Sequence, residues 1–488
     1  MSLKLYNTLT REKEEFEPIN EGEVRFYSCG QTIYDDLHVG NARAYVFWDT
    51  LRRYLEFRGF EVRHVQNITD VGHLTDDGDQ GEDKVEKRAG ELGLEPMELV
   101  ETQIRRYFHD TGSLNVERQD VVPRATGHIN EMIEYVQKIY ENGYAYEADG
   151  NIYMDVESFA EDHGYGDMAK KDLDDLKEEA RSRVEPDERK RNQYDFALWL
   201  NAEGTDHAMK WRGVFEIDGE TLESVGYPGW HLECSVMSQK YLGDLFDIHA
   251  GGKDHIFPHH PNERAQSLAA TGSGQAKYWL HNEFITVEGE KMSKSEGNFY
   301  TVRDLLDGEI EDEKVPEEGF SGDTIRMYLI SSHYRSETDF SIDGLLKARK
   351  ELQRVRKNVQ RVKLSDGEEE IFNLEERFQE AMDDDLNTAE AKQVLMEAVG
   401  KINRVIEDGR SPKDSVADTL VKLFEVLGVD VEPESRQDRE MAETLLEMRT
   451  EYRRQEKYER ADRIRDVLQE AGYEVEDTGS GARLLQAG

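Results

Sequence analysis

Apolar residues along the chain alternate between two rhythms. Residues 24–30, VRFYSCG, are a short apolar run that reads as a buried strand ending in a turn. NARAYVFWDTLRRYLEFRGF (41–60) repeats its apolar positions at helical spacing up to Gly59, and EVRHVQNITD (61–70) reads as a second strand. Strand, turn, helix, strand opens a nucleotide-binding α/β unit with a right-handed crossover. The glycine-rich dinucleotide fingerprint and the Walker A loop are both absent, so the expected fold is a split, Rossmann-type parallel sheet that holds its nucleotide another way. From about 125 to 200 the chain is charge-rich and mostly helical in rhythm, DLDDLKEEARSRVEPDERKR (172–191) being its most polar part. Strand rhythm returns in GDLFDIHAGG (243–252) and YWLHNEFITV (278–287), and from about 345 onward the periodicity is helical. A polar stretch from Arg410 to Arg436, with Pro412 and Pro433, marks a hinge. The predicted organisation is a first α/β half over 1–125, a connective insertion over 126–200, a second half over 201–300, a junction over 301–345, a helical bundle over 346–430 and a small terminal module over 431–488.

Length and composition agree with that division. A chain of 488 residues suggests about three or four structural units, and 37% hydrophobic residues suffice for a folded body. The N-terminus, MSLKLYNTLTREKEEFEP, has no apolar core of leader length, and no run approaches about 18 apolar residues, so a cytoplasmic protein without a membrane partner is expected. The only cysteines, Cys29 and Cys234, cannot make the disulfide framework of a secreted domain. The charge is extreme: 62 Lys+Arg against 105 Asp+Glu, a formal net charge of −43. Alone it argues against a nucleic-acid partner. The acid is spread along the chain, however, as on halophilic surfaces, and at molar salt a Debye length of about 3 Å removes distant repulsion.

Three segments carry nucleotide chemistry. His38-Val39-Gly40-Asn41 lies in the turn before the first helix, where backbone N–H groups and the helix dipole favour an anion, Gly40 permits close approach and His38 can donate to phosphate oxygens. Lys291-Met292-Ser293-Lys294-Ser295 follows the strand-like FITVEGE with Gly297 close behind, and Lys291 and Lys294 suit stabilisation of triphosphate charge. In His249-Ala250-Gly251-Gly252-Lys253-Asp254, the two glycines make a tight turn where adenosine fits, with Asp254 placed for ribose hydroxyls. These three elements, in this order, resemble the class I aminoacyl-tRNA synthetases.

A second constellation is metal-like. Cys29 ends the first strand, and Cys234 lies in Gly229-Trp-His-Leu-Glu-Cys-Ser235. In Phe257-Pro-His259-His260-Pro-Asn-Glu263, His259 and Glu263 share one helical face at i, i+4. Two thiolates, an imidazole and a carboxylate complete a tetrahedral zinc set. His255 is separated from His259 by Pro258, and His260 with Glu263 at i, i+3 stays open as an alternative to the preferred His259.

CGQTIYDDLHVGNAR, GWHLECS, DIHAGGKDHIFPHHPNE and KMSKSEGNF together resemble the cysteinyl-tRNA synthetase family. The likeness extends through DFALW (195–199), DDDLNTAEA (383–391) and ADRIRDVLQEAGYEVEDT (461–478). The resemblance implies activation of L-cysteine by ATP-Mg and transfer to tRNA(Cys), by a monomer. It implies one zinc on Cys29, Cys234, His259 and Glu263, selecting His259 over His260. It further implies catalytic roles for His38, Asn41, Lys291 and Lys294, ATP contacts from Gly40, Gly251, Gly252, Asp254 and Lys294, and a cysteine pocket of Gly30, Thr69 and Trp230. Zinc prefers a thiolate to an alcohol, which separates cysteine from serine better than size does. By the same resemblance the junction meets the tRNA stem and the terminal module the anticodon. Residues 436–466 hold nine Arg/Lys and nine Asp/Glu, a locally neutral face in an acidic chain. Two segments depart from the family pattern: 211–227, which reads as an inserted hairpin, and 308–323, an acidic loop expansion.

Overall fold

The computed structural model describes residues 2–71, 74, 81–171, 187–292, 298–364, 367–369, 373–432, 436–455, 457–470, 473–478 and 481–486. At its centre is a wholly parallel sheet of four strands, β1 (Glu23–Ser28), β2 (Glu61–Gln66), β3 (Leu245–Gly252) and β4 (Gln275–Asn282), in the order β4-β3-β1-β2. Parallel strands are covered on both faces, and Val24, Phe26, Val65, Phe246, Ile248 and Trp279 are accordingly buried.

From β1 the chain crosses through helix α1 (Val39–Phe57) to β2 on one side. Helix α2 (Leu232–Leu242) leads into β3, and α3 (His259–Thr271) carries the chain on to β4 on the other side. Adjacent β1 and β3 thus send their connections in opposite directions, which opens a crevice at their carboxyl ends. No helix among the described residues is long and apolar enough to cross a membrane.

Between the two halves the structure departs from the helical reading of 125–200. The α-helices described in that span are Ile129–Glu141 and Val156–His163. Around them Ala145–Ala148, Asn151–Met154, Phe196–Asn201, Trp211–Ile217 and Glu220–Pro228 form a five-stranded antiparallel sheet. Two of its strands are only four residues long, too short to display alternation against a charged background. Their signal is instead the turn: Asp149 and Gly150 sit at φ 52° and 79°, the two-residue hairpin loop that Asp-Gly favours. Asp218-Gly219 repeats the device at φ 52° and 82° in the hairpin expected within 211–227. The polar segment 172–186 lies outside the described residues. The acidic stretch 308–323 runs as a loop from Gly308 to Ser321, pinned by buried Phe320, and ends in the first residues of the helix Gly322–Leu329.

Helices Ile342–Lys363, Leu374–Asp383, Thr388–Glu407 and Asp414–Val426 follow the expected periodicity. Arg436–Arg454 and Tyr458–Glu470 come next, but the chain does not finish as a helix. Tyr473–Thr478 and Gly481–Gln486 pair as an antiparallel hairpin, and Tyr473 joins Ala442, Leu446 and Leu468 in a small separate core. The six-residue alternation YEVEDT was masked by the long helical run before it.

Two buried guanidiniums fasten α1 to distant chain. Arg43 donates to the carbonyls of Glu283, Phe284, His333 and Ser336 at 2.7–3.1 Å. Arg326, on Gly322–Leu329, donates to the carbonyl of Leu427 at 2.7 Å, to those of Leu114 and Asn115 at 3.1 Å, and to the Asp49 carboxylate on α1. A charge with no access to water is tolerated only with such dense partnering, which for Arg43 leaves Nε alone unmatched. Arg326→Leu, which leaves the carbonyls of Leu427, Leu114 and Asn115 without this donor while Asp49 keeps Arg53 at 2.8 Å, should lower stability by about 1–3 kcal/mol, seen as earlier unfolding in urea; a midpoint equal to the parent's would contradict this.

Candidate active site

The crevice at the β1/β3 switch collects side chains from both halves of the sheet. Cys29 directly follows β1, its N–H donating to the Ala250 carbonyl of β3 at 3.0 Å. Cys234 lies in the first turn of α2, and α3 begins at His259, which places Glu263 one turn further on the same face. One donor atom each from Cys29, Cys234, His259 and Glu263 lies within 4.8 Å of every other, and all four residues are buried. His259 Nε2 is 3.0 Å and Cys29 Sγ 3.9 Å from Glu263 Oε1. Around a tetrahedral ion with bonds of about 2.0–2.3 Å, donors stand roughly 3.3–3.8 Å apart. The four therefore fit one thiophilic metal ion.

His260 is close by. Its Nε2 is 3.3 Å from Cys29 Sγ, while Nδ1 meets His281 at 2.8 Å, and His281 in turn meets the Thr8 hydroxyl at 2.8 Å. Cys29, His249, His260 and Glu263 form a second, overlapping donor group, which lacks Cys234. Outside the first four donors stands a ring of polar partners. His249 Nε2 at 2.8 Å and Gln275 Nε2 at 3.0 Å hold the second oxygen of Glu263, and His231 meets His259 ring nitrogen to ring nitrogen at 2.8 Å. Such partners fix ligand orientation.

The site's electrostatics follow from burial and proximity. Burial lowers the pKa of His260 and His281, which stay neutral. Burial also acts to lower that of His259, but Glu263 and Cys234 override it and raise the imidazole to about 10. Burial drives the Cys29 thiol up, whereas a hydrogen bond from Cys29, with help from His259, brings Cys234 down. The Glu263 carboxyl is held low, against burial, by His249 and His259. Glu263 and Cys234 are thus favoured as anions beside the raised His259 imidazole, whose proton a bound divalent cation would replace.

A cavity of about 780 Å³ opens over these donors. Gly30, Thr69 and Trp230 line it beside Cys29 and Cys234. A Cβ on Gly30 would sit 1.7 Å from the Asn67 carbonyl oxygen, so no side chain fits where these two backbones approach. Trp230 lies against His259 with ring centroids 4.5 Å apart. Toward the other end the lining includes His38, Gly40 and Asn41, and across from them Gly251, Gly252 and Asp254.

His38 is the N-cap of α1, its Nδ1 accepting from the N–H groups of Gly40 at 3.1 Å and Asn41 at 3.4 Å. Those N–H groups, expected to face an anion directly, are taken up by the imidazole. The ring's proton is thereby placed on Nε2. A Cβ on Gly40 would lie 2.9 Å from the ring, so the glycine makes room for this cap. Lys291 is in the short strand Glu290–Lys291 and Met292 lines the cavity; Ser293–Gly297, Lys294 included, lies outside the described residues.

Pattern reading left out His249, Gln275, His231, Asn67 and Glu233. Crowding was the available signal: five of the chain's 14 histidines fall between 249 and 281. Asn67 and Glu233 had no signal beyond nearness to motif residues. Glu233 is fully buried beside Cys234, and burial followed by that neighbour pushes its carboxyl well above the ordinary range.

Residues 15–350 match the tRNA synthetases class I (C) catalytic domain, and residues 377–432 match the DALR domain. The chain is 41% identical over 504 aligned positions to the cysteine–tRNA ligase of Thermococcus gammatolerans, covering 99% of this chain and 98% of that protein. It is 44% identical over 497 positions to the cysteine–tRNA ligase of Carboxydothermus hydrogenoformans, covering 99% of both. Its fold is similar to that of Mycobacterium tuberculosis methionyl-tRNA synthetase in complex with methionyl-adenylate, with TM-score 0.55, 14% identity and coverage of 83% of this chain and 89% of that one. The Agrobacterium radiobacter K84 LeuRS–tRNA–LeuAMS ternary complex gives TM-score 0.59 at 13% identity, covering 85% of this chain and 84% of that one. On a catalytic domain of this class and 41–44% identity along nearly the whole chain with curated members, the chain belongs to the cysteine–tRNA ligase family of class I tRNA synthetases.

Proposed function

We propose that this chain ligates L-cysteine to tRNA(Cys) with ATP-Mg, selecting cysteine by zinc–thiolate coordination and passing through cysteinyl-adenylate. The convergence of Cys29, Cys234, His259 and Glu263 beside the cavity carries the zinc part of the reading; 41–44% identity along nearly the whole chain to cysteine–tRNA ligases carries the rest. Among the described residues, the donor group that contains both thiols is the one with His259, which supports His259 as the imidazole ligand. When bound, zinc supplies a Lewis-acid seat that favours the substrate's thiolate over serine's hydroxyl.

The chain's own residues do the remaining work. Gly30, Thr69 and Trp230 enclose the amino acid, and Gly251, Gly252 and Asp254 receive the adenosine. A cysteine carboxylate oxygen attacks the α-phosphorus of ATP, and the bond to pyrophosphate breaks. His38, held with Nε2–H toward the cavity by its own helix cap, donates to phosphate oxygen; Gly40 and Asn41 hold it there. Lys291 and Lys294 offset the departing charge. The hydroxyl of the tRNA's terminal adenosine then attacks the cysteinyl carbonyl and AMP leaves.

The same reading divides the chain as its sequence suggests, with the bundle docking the tRNA's bend and the terminal module its anticodon. It places the enzyme in the cytoplasm as a monomer. It also takes the charge of −43 as adaptation to a saline interior.

Three measurements test this reading. Cys234→Ala should lose bound zinc and depress cysteine-dependent pyrophosphate exchange by more than about 100-fold; near-normal exchange in the metal-free variant would refute zinc selection. Lys294→Ala should slow exchange by about 100- to 1000-fold with zinc retained, and unchanged kinetics would remove this lysine from the mechanism. Raising KCl from about 0.1 to 1 M should raise the thermal midpoint as self-repulsion is screened; a falling midpoint would count against the saline reading.

A further inference from the structure

The buried carboxyl of Glu233 belongs to none of the roles assigned above, yet it sits at the end of a hydrogen-bond chain that spans the amino-acid pocket. Its Oε2 accepts from the Thr69 hydroxyl at 2.8 Å. That hydroxyl accepts from Asn67 Nδ2 at 3.1 Å, and Asn67 Oδ1 accepts from the Gly30 N–H at 2.8 Å. The chain therefore runs from the residue after Cys29 to the residue before Cys234, crossing between the two halves of the sheet. Asn67, Thr69 and Glu233 are 2%, 3% and 0% exposed, so water does not compete for these bonds. Asn67 and Thr69 line the cavity; Glu233 lies behind them.

The polarity of this chain has a chemical consequence. A threonine hydroxyl carries one proton and two lone pairs. Glu233 Oε2 takes the proton as a carbonyl oxygen, the carboxyl's own proton standing on Oε1, and the Asn67 amide takes one lone pair, so Thr69 meets the cavity only as an acceptor. A group docking against it must bring its own proton. The amino acid of the proposed reaction carries one group that is purely a donor, its α-ammonium; its carboxylate would be repelled.

We propose that Glu233 is a positioning residue which fixes the Thr69 hydroxyl as an acceptor for the substrate's α-ammonium. This rests on the proposed function, since it concerns how that substrate's amino group is read. Glu233 touches neither substrate nor reacting atoms and acts through Thr69. Without the carboxyl, the Thr69 hydroxyl is free to turn its proton toward the cavity, and the site then opposes the ammonium.

The test separates the ammonium from the rest of the substrate. Cysteine KM is measured by pyrophosphate exchange, alongside the Ki of 3-mercaptopropionate, which keeps the thiol and carboxylate but lacks the amine. Glu233→Leu should raise the cysteine KM about tenfold or more, with the 3-mercaptopropionate Ki, the ATP KM and the zinc content unchanged. Glu233→Gln, whose carbonyl still accepts from Thr69, should restore the parental KM. Thr69→Val should show the same selective loss of cysteine binding. If cysteine and 3-mercaptopropionate weaken alike, or zinc falls with them, Glu233 merely packs the ligand helix and the inference is overturned. Absence of cysteine-dependent exchange in the parent protein would instead strike the proposed function itself.

Discussion

Four donors, two of them some 200 residues apart in the chain, must be brought within bonding distance of one point inside a buried crevice. That requirement governs much of the architecture. Only adjacent strands running in parallel, with their connections leaving in opposite directions, deliver a residue from each half to the same rim. β1 supplies Cys29 directly, while α2 and α3, flanking β3, supply the other three. The terminal hairpin lies outside this geometry, whereas the antiparallel sheet runs straight into α2, where the Gly229 N–H donates to the Leu198 carbonyl at 3.1 Å.

Burying thiol, imidazole and carboxylate together is costly unless each has a partner. Here the cost is offset by an outer ring in which His249 and Gln275 hold Glu263, His231 holds His259, and Thr8 holds the His281 that meets His260. The five histidines from 249 to 281 are therefore one assembly of rings in tilted contact, in which Glu263 and Cys234 raise the pKa of His259 against burial while burial lowers those of His255, His260 and His281.

Much of this was legible in the residues because the chemistry is local. The apolar run ending in Cys29, the helix after His38 and the Gly-Gly turn of β3 each state their conformation within a few positions. What stayed hidden depends on length or on partners. Strands of four residues beside a charged helix show no usable period, so the sheet beginning at Ala145 had only Asp149-Gly150 to announce it. The terminal hairpin was obscured in the same way. The His38 cap could not be foreseen, since a helix start with a preceding histidine does not disclose that the ring bends back onto its own backbone. Asn67 and Glu233 matter only through bonds made across the sheet, and one sequence carries no trace of those.

Helix α1 offers His38 at one end and is gripped further along by Arg43 and by the Asp49–Arg326 pair. Arg326 also holds the Leu427 carbonyl, where the bundle ends. The helix is thus an axle with a rivet in its middle: a load borne by the bundle reaches the His38 imidazole through a stiff rod rather than a slack loop. Any displacement of the bundle's end therefore meets the cavity wall as movement of a whole helix, not of a single side chain.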